Sequence, residues 1–235
     1  MSEKELNETL VVPMIAVRML APFYEQAIVE MADPYGNLYQ VPFCLFPEDA
    51  NNGDGRLYEV KLLDGISPVE VNISILNVDD LFPTEVGYML HYDDKYKYYH
   101  IYDNQSRHFV ATAEGMSLTL KAGDFVTFSP IIPTSSKFKS AIVIRKESKK
   151  DGIAKFGTFD IEIMDVNKEE CWYRYKVLNE LPELEEGWFR EIGVSYLSKE
   201  EIDKLSIGDS RKVIMFLKRA KDKEKYNYIA ELLND

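Results

Sequence analysis

The sequence predicts a mostly β protein, built as tandem small open β-barrels with two short helices. Its 235 residues include 15 tyrosines and 12 phenylalanines, and aromatic residues are enriched in strands. Short runs that alternate apolar and polar residues recur between turns, without the strand–helix–strand rhythm of a parallel sheet. One pattern also occurs twice in the same order: an aromatic strand, a glycine before a bulky residue, a Leu-x-x-Gly-Asp turn and another strand.

The two copies of this pattern predict two domains. The first copy is complete over residues 98–128, and the second is looser over residues 171–216. A polar run at 146–152 separates them and predicts the boundary. We therefore expect a first barrel at residues 1–148, with an insertion near 47–97, and a second, diverged barrel at residues 152–235.

The elements before the first copy are predicted as follows. Residues 11–20 are apolar with helical spacing, and Pro13 suits a first helical turn, where a backbone N–H has no partner inside the helix. This segment predicts a short helix. Residues 25–46 predict a hairpin with its turn at 33–37, because proline presets φ and glycine accepts a positive φ there. Residues 51–55 predict a loose loop.

Alternating apolar and polar residues predict the remaining strands. These strands are expected at residues 57–63, 69–78, 86–92, 96–102, 125–128, 141–144, 159–166, 171–177, 212–217 and 226–232. Ser198 and Glu201 have the spacing of a capping box, which predicts a second short helix that runs through Leu205.

Charge and composition limit the classes of function. The formal charge is −12, which disfavours a general nucleic-acid coat because phosphate attraction dominates non-specific affinity. Two basic segments, 137–150 and 211–225, still allow a local phosphate-binding edge. Cys44 and Cys171 are far apart and are expected to be reduced thiols of an intracellular protein. No apolar run approaches the ~20 residues that span a bilayer, so no membrane association is expected.

No pattern predicts catalysis, a metal or a cofactor. The three histidines, His91, His100 and His108, lie close together in sequence but match no metal-ligand spacing. Paired acids such as Asp79 and Asp80 are typical of solvated turns, and no serine has the sequence context of a catalytic nucleophile. We therefore expect a protein that is not an enzyme.

The loop at residues 103–107 is the strongest candidate for a binding site. It joins two predicted strands and carries Asn104, Gln105, Ser106 and Arg107. Asparagine, glutamine and arginine make bidentate contacts to base edges in the major groove of DNA. The same residues also suit an ordinary hairpin loop, so the pattern alone leaves both interpretations open.

The pattern of residues 104–112, the Gly115-Met116 step and the Leu-x-x-Gly-Asp segment at 120–128 resemble the C-terminal half of the plant B3 DNA-binding domain. Residues 4–6, 12–13, 29–36 and 39–43 are similar to its first half. The looser copy resembles a second module, in which Gly187-Trp188 matches the Gly-Trp step of the family.

This resemblance implies a seven-stranded open barrel with two short helices that binds double-stranded DNA in the major groove through two arms. It implies sequence-specific DNA binding in transcription regulation, with the protein in the nucleus. Base contacts would come from Asn104, Gln105, Ser106 and Arg107, and from a second arm near Lys4 and Asn7. Phosphate contacts are expected from Lys137, Lys139 and Arg145, or from the basic cluster at residues 218–225.

Two other functions remain open at this point. A non-catalytic intracellular scaffold, in the cytoplasm, could bind a protein partner or a second copy of the chain through the aromatic strand at 96–102. An OB-like barrel could instead stack single-stranded nucleic acid on tyrosines such as Tyr98 and Tyr99.

Overall fold

A computed structural model of the chain describes residues 9–20, 27–48, 56–112, 118–131, 139–184, 187–219 and 224–233. The first ten strands are β1 (Thr9–Leu20), β2 (Ile28–Ala32), β3 (Leu38–Pro42), β4 (Leu57–Leu63), β5 (Ser67–Ile73), β6 (Glu85–Asp93), β7 (Tyr98–Asp103), β8 (His108–Thr112), β9 (Phe125–Ile131) and β10 (Lys139–Lys146). The other seven are β11 (Phe159–Asn167), β12 (Trp172–Val177), β13 (Glu183–Leu184), β14 (Gly187–Trp188), β15 (Ile192–Tyr196), β16 (Ser210–Arg219) and β17 (Lys225–Leu233).

The described part of the chain contains three short α-helices: α1 (Val78–Leu81), α2 (Lys149–Phe156) and α3 (Lys199–Ile202). The mostly β prediction is confirmed. The capping-box prediction is also confirmed, since the Ser198 hydroxyl accepts the N–H of Glu201 while the Glu201 carboxylate accepts the N–H of Ser198. The predicted loop at 51–55 lies outside the described residues.

The predicted helix at residues 11–20 is wrong, because this segment is strand β1. It pairs with β2 on one side and β4 on the other, so Ile15 faces Ala32 and Leu57. A strand buried on both faces has an almost continuous apolar sequence, which imitates a buried helix. The described pairing of Pro13 is with β4 alone. Proline is tolerated here because the missing N–H can lie on the side of the strand that has no described partner.

The chain divides into two compact units, and the second includes a short segment from the middle of the chain. The first comprises Met1–Ile101 and Phe109–Glu147, and the second comprises Tyr102–His108 and Ser148–Asp235. The polar run at 146–152 includes the start of a helix, since Ser148 caps α2 by accepting the N–H of Asp151. The loop predicted to read bases belongs to the second unit.

The first unit contains a five-stranded sheet and a closed five-stranded barrel. The sheet has the order β3-β2-β1-β4-β5, and the barrel has the order β10-β8-β7-β6-β9. A parallel pair between β8 and β10 closes the barrel. A cluster that includes Ile15, Leu57, Phe82 and Ile142 packs the sheet against the barrel.

The second unit contains a five-stranded sheet of order β15-β12-β11-β16-β17 and the small ladder β13–β14. Its core is rich in aromatic and β-branched residues, among them the fully buried Tyr173 and Tyr175. Burial raises the pKa of Tyr175 above its usual value near 10.

The three five-stranded sheets share one strand order. When the strands of each sheet are numbered along the chain, both open sheets have the order 3-2-1-4-5. The closed barrel has the same order when it is read around the ring from β8. The third and fifth strands also contact each other in the two open sheets, as β3 contacts β5 and β15 contacts β17. The closed barrel therefore has the same topology as its two open counterparts.

Candidate nucleic-acid interface

The predicted base-reading loop is a rigid turn around a buried carboxylate. Asp103 is 1% exposed, and its side chain accepts the Arg107 backbone N–H at 2.7 Å and the Arg107 Nε–H at 2.6 Å. The Ser106 N–H bonds to the Asp103 carbonyl at 3.0 Å, and Ser106 adopts a φ of 61°. The Arg107 guanidinium is thereby engaged inside the loop.

Two further side chains tie this loop into the second unit. The Ser106 hydroxyl accepts the backbone N–H of Leu217 at 2.9 Å, and Ser106 is 4% exposed. Tyr102 stacks on Phe216, with ring centroids 4.2 Å apart, and on His108. Of the four loop residues predicted to contact bases, Asn104 and Gln105 are the two that are exposed.

Of the residues predicted to contact phosphate, Lys139 and Arg145 both lie on β10. The Arg145 guanidinium donates to Asp79 Oδ2 at 2.5 Å and to Glu147 Oε1 at 3.0 Å. The hydrogen bond to Asp79 is the main reason that the pKa of Arg145 is raised. Lys139 is half-buried at the start of β10. Lys4, Asn7 and Lys137 lie outside the described residues.

A different surface combines aromatic, basic and apolar side chains of β12 and β15, most of them exposed and two of them, Trp172 and Lys176, half-buried. We call it the aromatic–basic face, and its members are Trp172, Arg174, Lys176, Ile192, Val194 and Tyr196. The antiparallel register places Trp172 opposite Tyr196, Arg174 opposite Val194 and Lys176 opposite Ile192. Directly opposite residues of two strands point to the same side of a sheet, so these three pairs form one row.

The core on the other side of the sheet fixes this orientation. Tyr173 and Tyr175 alternate with the face residues along β12 and are fully buried. Gly193 lies on β15 opposite Tyr175, where a Cβ would be 2.4 Å from the tyrosine hydroxyl. With these residues inward, the outward row stays in solvent: Tyr196 is 71% exposed and Val194 is 49% exposed.

The electrostatics of the face favour an anionic ligand near Arg174. This side chain is exposed and makes no hydrogen bond or ion pair with another residue in the described part of the chain. Lys176 pairs with Glu191 at 3.1 Å, and the Trp172 indole N–H bonds to Glu170 at 2.8 Å. Both carboxylates are exposed, so these contacts are weak and screened by salt.

The two units also differ in charge. The second unit has 17 basic and 20 acidic residues and a formal charge of −3, whereas the first has 11 basic and 20 acidic residues and a charge of −9. A polyanion would therefore meet less repulsion at the second unit.

The predicted base contacts lie in the first copy of the repeated pattern, and no prediction covered the aromatic–basic face of the second copy. The alternation Trp172-x-Arg174-x-Lys176 was the available signal, because it predicts one outward side with an aromatic and two cations. The acidic stretch that follows β12 obscured that signal.

No family model matches the chain, and the comparison with curated proteins also finds no match. Within the described ranges, no helix is long and apolar enough to cross a membrane. The described histidine, cysteine and acidic residues form no cluster of three that could hold a metal ion.

Proposed function

We propose that the protein is a non-catalytic binder of single-stranded nucleic acid, and that the aromatic–basic face is its binding surface. The observation that carries this proposal is the row of outward side chains on β12 and β15, with Trp172 beside Tyr196 and Arg174 beside them. Aromatic rings provide stacking surfaces for bases, and nearby cations attract the phosphates.

The shared strand order supports an OB-type barrel as the repeated unit of the fold. An OB fold is a partly open five-stranded barrel that binds oligonucleotides on its second and third strands. In the second unit, β12 and β15 are the second and third strands of the sheet. The aromatic–basic face therefore lies where an OB-type barrel binds its ligand.

The physical account of binding has two parts. Stacking of one base on Trp172 or Tyr196 contributes about 1–3 kcal/mol, with little dependence on base identity. Arg174 and Lys176 neutralise phosphates and release counterions, so each contact adds about 0.7 to the salt dependence of binding to a single strand. The net charge of the chain limits affinity, so we expect binding that is strong only at low salt.

Double-stranded DNA binding in transcription regulation is the second candidate. It is favoured by the exposed side chains of Asn104 and Gln105, which the rigid turn around Asp103 presents together. Amide side chains pair with the adenine edge in the major groove. Under this proposal the loop would read bases with these two residues, while Ser106 and Arg107 would hold it in shape.

Fluorescence anisotropy with labelled strands tests both candidates. The probes are a 15-nucleotide deoxythymidine strand, a 15-nucleotide uridine strand and a mixed-sequence 20-base-pair duplex, at 50 mM salt. We expect the single strands to bind more tightly than the duplex, and Trp172→Ala to weaken single-strand binding by about 1–3 kcal/mol. Arg174→Gln should lower the salt dependence by about 0.7.

A matched control is Tyr35→Ala, which removes an aromatic residue that is 90% exposed in a turn of the first unit. This change should leave binding unaltered. Equal loss in Tyr35→Ala and Trp172→Ala, or no single-strand binding at low salt, would contradict the proposal. Duplex binding that Gln105→Ala abolishes would favour the second candidate.

A further inference from the structure

Trp188 is the more exposed of the two tryptophans of the chain. It ends β14, lies opposite Glu183 of β13 and is 80% exposed. Tryptophan is rarely left in water when it has no partner, because its side chain is one of the largest apolar surfaces in a protein. Its position therefore needs a physical reason.

Trp188 lies between a glycine with a positive φ and a buried phenylalanine. A Cβ on Gly187 would lie 3.4 Å from Leu217 Cδ1 and 3.5 Å from Lys225 Cδ, and the φ of Gly187 is +153°. The positive φ favours glycine, whereas the Cβ distances are ordinary van der Waals contacts. Phe189, on the other side, is 4% exposed and packs its ring 5.0 Å from that of Phe159.

A buried amide holds the next residue as well. The Asn227 side chain accepts the Arg190 N–H at 2.9 Å and donates to the Arg190 carbonyl at 2.7 Å, while Asn227 is 7% exposed. These contacts fix the chain from Gly187 to Arg190 and leave the indole outside. A side chain presented by an ordered backbone loses little conformational entropy on binding.

We propose that Trp188 anchors a docking site for a cationic segment of a partner protein. Tryptophan is among the residues that contribute most to protein interfaces, and its ring is the best aromatic acceptor of a cation–π interaction. The charge around it is complementary to a cation: the described residues of the 178–191 connection include three glutamates and one arginine. Glu183 is the cross-strand neighbour of the indole.

This site is separate from the proposed nucleic-acid surface in its chemistry. Carboxylates beside Trp188 repel phosphates, whereas Arg174 on the aromatic–basic face attracts them. The docking proposal does not depend on nucleic-acid binding, so either can fail while the other holds.

A labelled nona-arginine peptide is the probe, and a nona-glutamate peptide is the negative control. Anisotropy titration of the full chain at 150 mM salt should detect binding of the arginine peptide alone. Trp188→Ala should weaken it by about fivefold or more, and Glu183→Gln by about twofold. Trp172→Ala should have no effect on this peptide.

Thermal unfolding of each variant separates docking from folding. The exposed indole contributes little to the core, so Trp188→Ala should unfold at the wild-type temperature. Glu200→Gln, which neutralises an exposed carboxylate on α3, controls for the loss of one negative charge and should leave affinity unchanged. Equal affinity of wild type and Trp188→Ala, or equal losses in Glu183→Gln and Glu200→Gln, would overturn the proposal.

Discussion

Strands β7 and β12 begin the two copies of the repeated sequence pattern, and they differ in what covers their outward sides. Both bury every second residue: Tyr99 and Ile101 are inward on β7, and Tyr173 and Tyr175 are inward on β12. The inward side chains of both strands belong to hydrophobic cores.

The outward sides have diverged. On β7, His100 stacks on His91 with ring centroids 4.1 Å apart, and Tyr102 is buried in contact with Phe216 of the second unit. On β12, the corresponding Arg174 and Lys176 are basic and at least partly exposed. One strand pattern thus serves packing in one copy and leaves side chains facing solvent in the other.

The largest expected effect tests whether packing on the buried side of β12 determines the orientation of the aromatic–basic face. Gly193→Ala places a Cβ 2.4 Å from the Tyr175 hydroxyl, and relief requires the ring or the strand to move. Overpacking of this kind costs about 1–3 kcal/mol, so chemical denaturation should show a stability loss of that size. Val194→Ala, an outward change on the same strand, is the control and should cost far less.

A second test compares the arginines of the two regions. Arg107→Ala should lower the free energy of unfolding by about 1–3 kcal/mol, because it removes a partner of the buried Asp103 carboxylate. Arg174→Ala should leave stability within about 0.5 kcal/mol of wild type, since the side chain is exposed. Equal stability of Arg107→Ala and wild type, with a loss of duplex binding, would favour base reading by the loop.

A third test gives β12 the outward residues of β7. The double variant Arg174→His, Lys176→Tyr keeps an aromatic row but removes two cations. We expect single-strand affinity at 50 mM salt to fall by about 1–2 kcal/mol and the salt dependence to fall by about 1.4. An unchanged salt dependence would show that these side chains do not meet phosphates.

The smallest expected effect concerns the alkaline limit of stability. Burial, and then the nearby Tyr226 and Tyr228, raise the pKa of Tyr102 to about 12. The pKa of Tyr102 in the folded protein lies above the unfolded value near 10. The contribution of its protonated hydroxyl to the stability of the fold is therefore complete below pH 10 and is lost as pH rises through 12. Tyr102→Phe should reduce the loss of stability between pH 9 and 11 by about 1 kcal/mol.

Denaturation of Tyr102→Phe and wild type at several pH values between 8 and 11 measures this difference. The variant retains Tyr173 and Tyr175, whose pKa values burial also raises, so part of the alkaline loss should remain. Parallel curves for the two proteins would contradict the buried position of the Tyr102 hydroxyl.

Local patterns were enough to predict most strands and α3. Alternation along β4 predicted Leu57–Leu63 with the observed bounds, because one side of that strand is more buried than the other. The Ser198–Glu201 capping box is decided by residues three apart, so it needs no distant partner. Strand β1 could not be recognised in this way, because Met14 and Ala16 pack into one core and Ile15 packs into another, which removes the alternation of a half-exposed strand.

The candidate site was less predictable than the fold. Nothing local to Ser106 indicates that its hydroxyl accepts the N–H of Leu217, 111 positions further along the chain. The pairing of Trp172 with Tyr196 likewise depends on the register of β12 and β15, which a connection of fourteen residues joins. Side chains at such separations are brought together by sheet formation.

The amino-acid sequence by itself determined the β-rich composition, the alternation of each half-buried strand and the turns between them. These depend on residue propensities and on neighbours a few positions apart. The tertiary structure alone decided the strand order common to the three sheets, the packing of the loop at Asp103 within the second unit and the exposure of Trp188 and Tyr196. The physical reason is that the burial of a side chain depends on the residues that pack against it, and these residues come from distant parts of the chain.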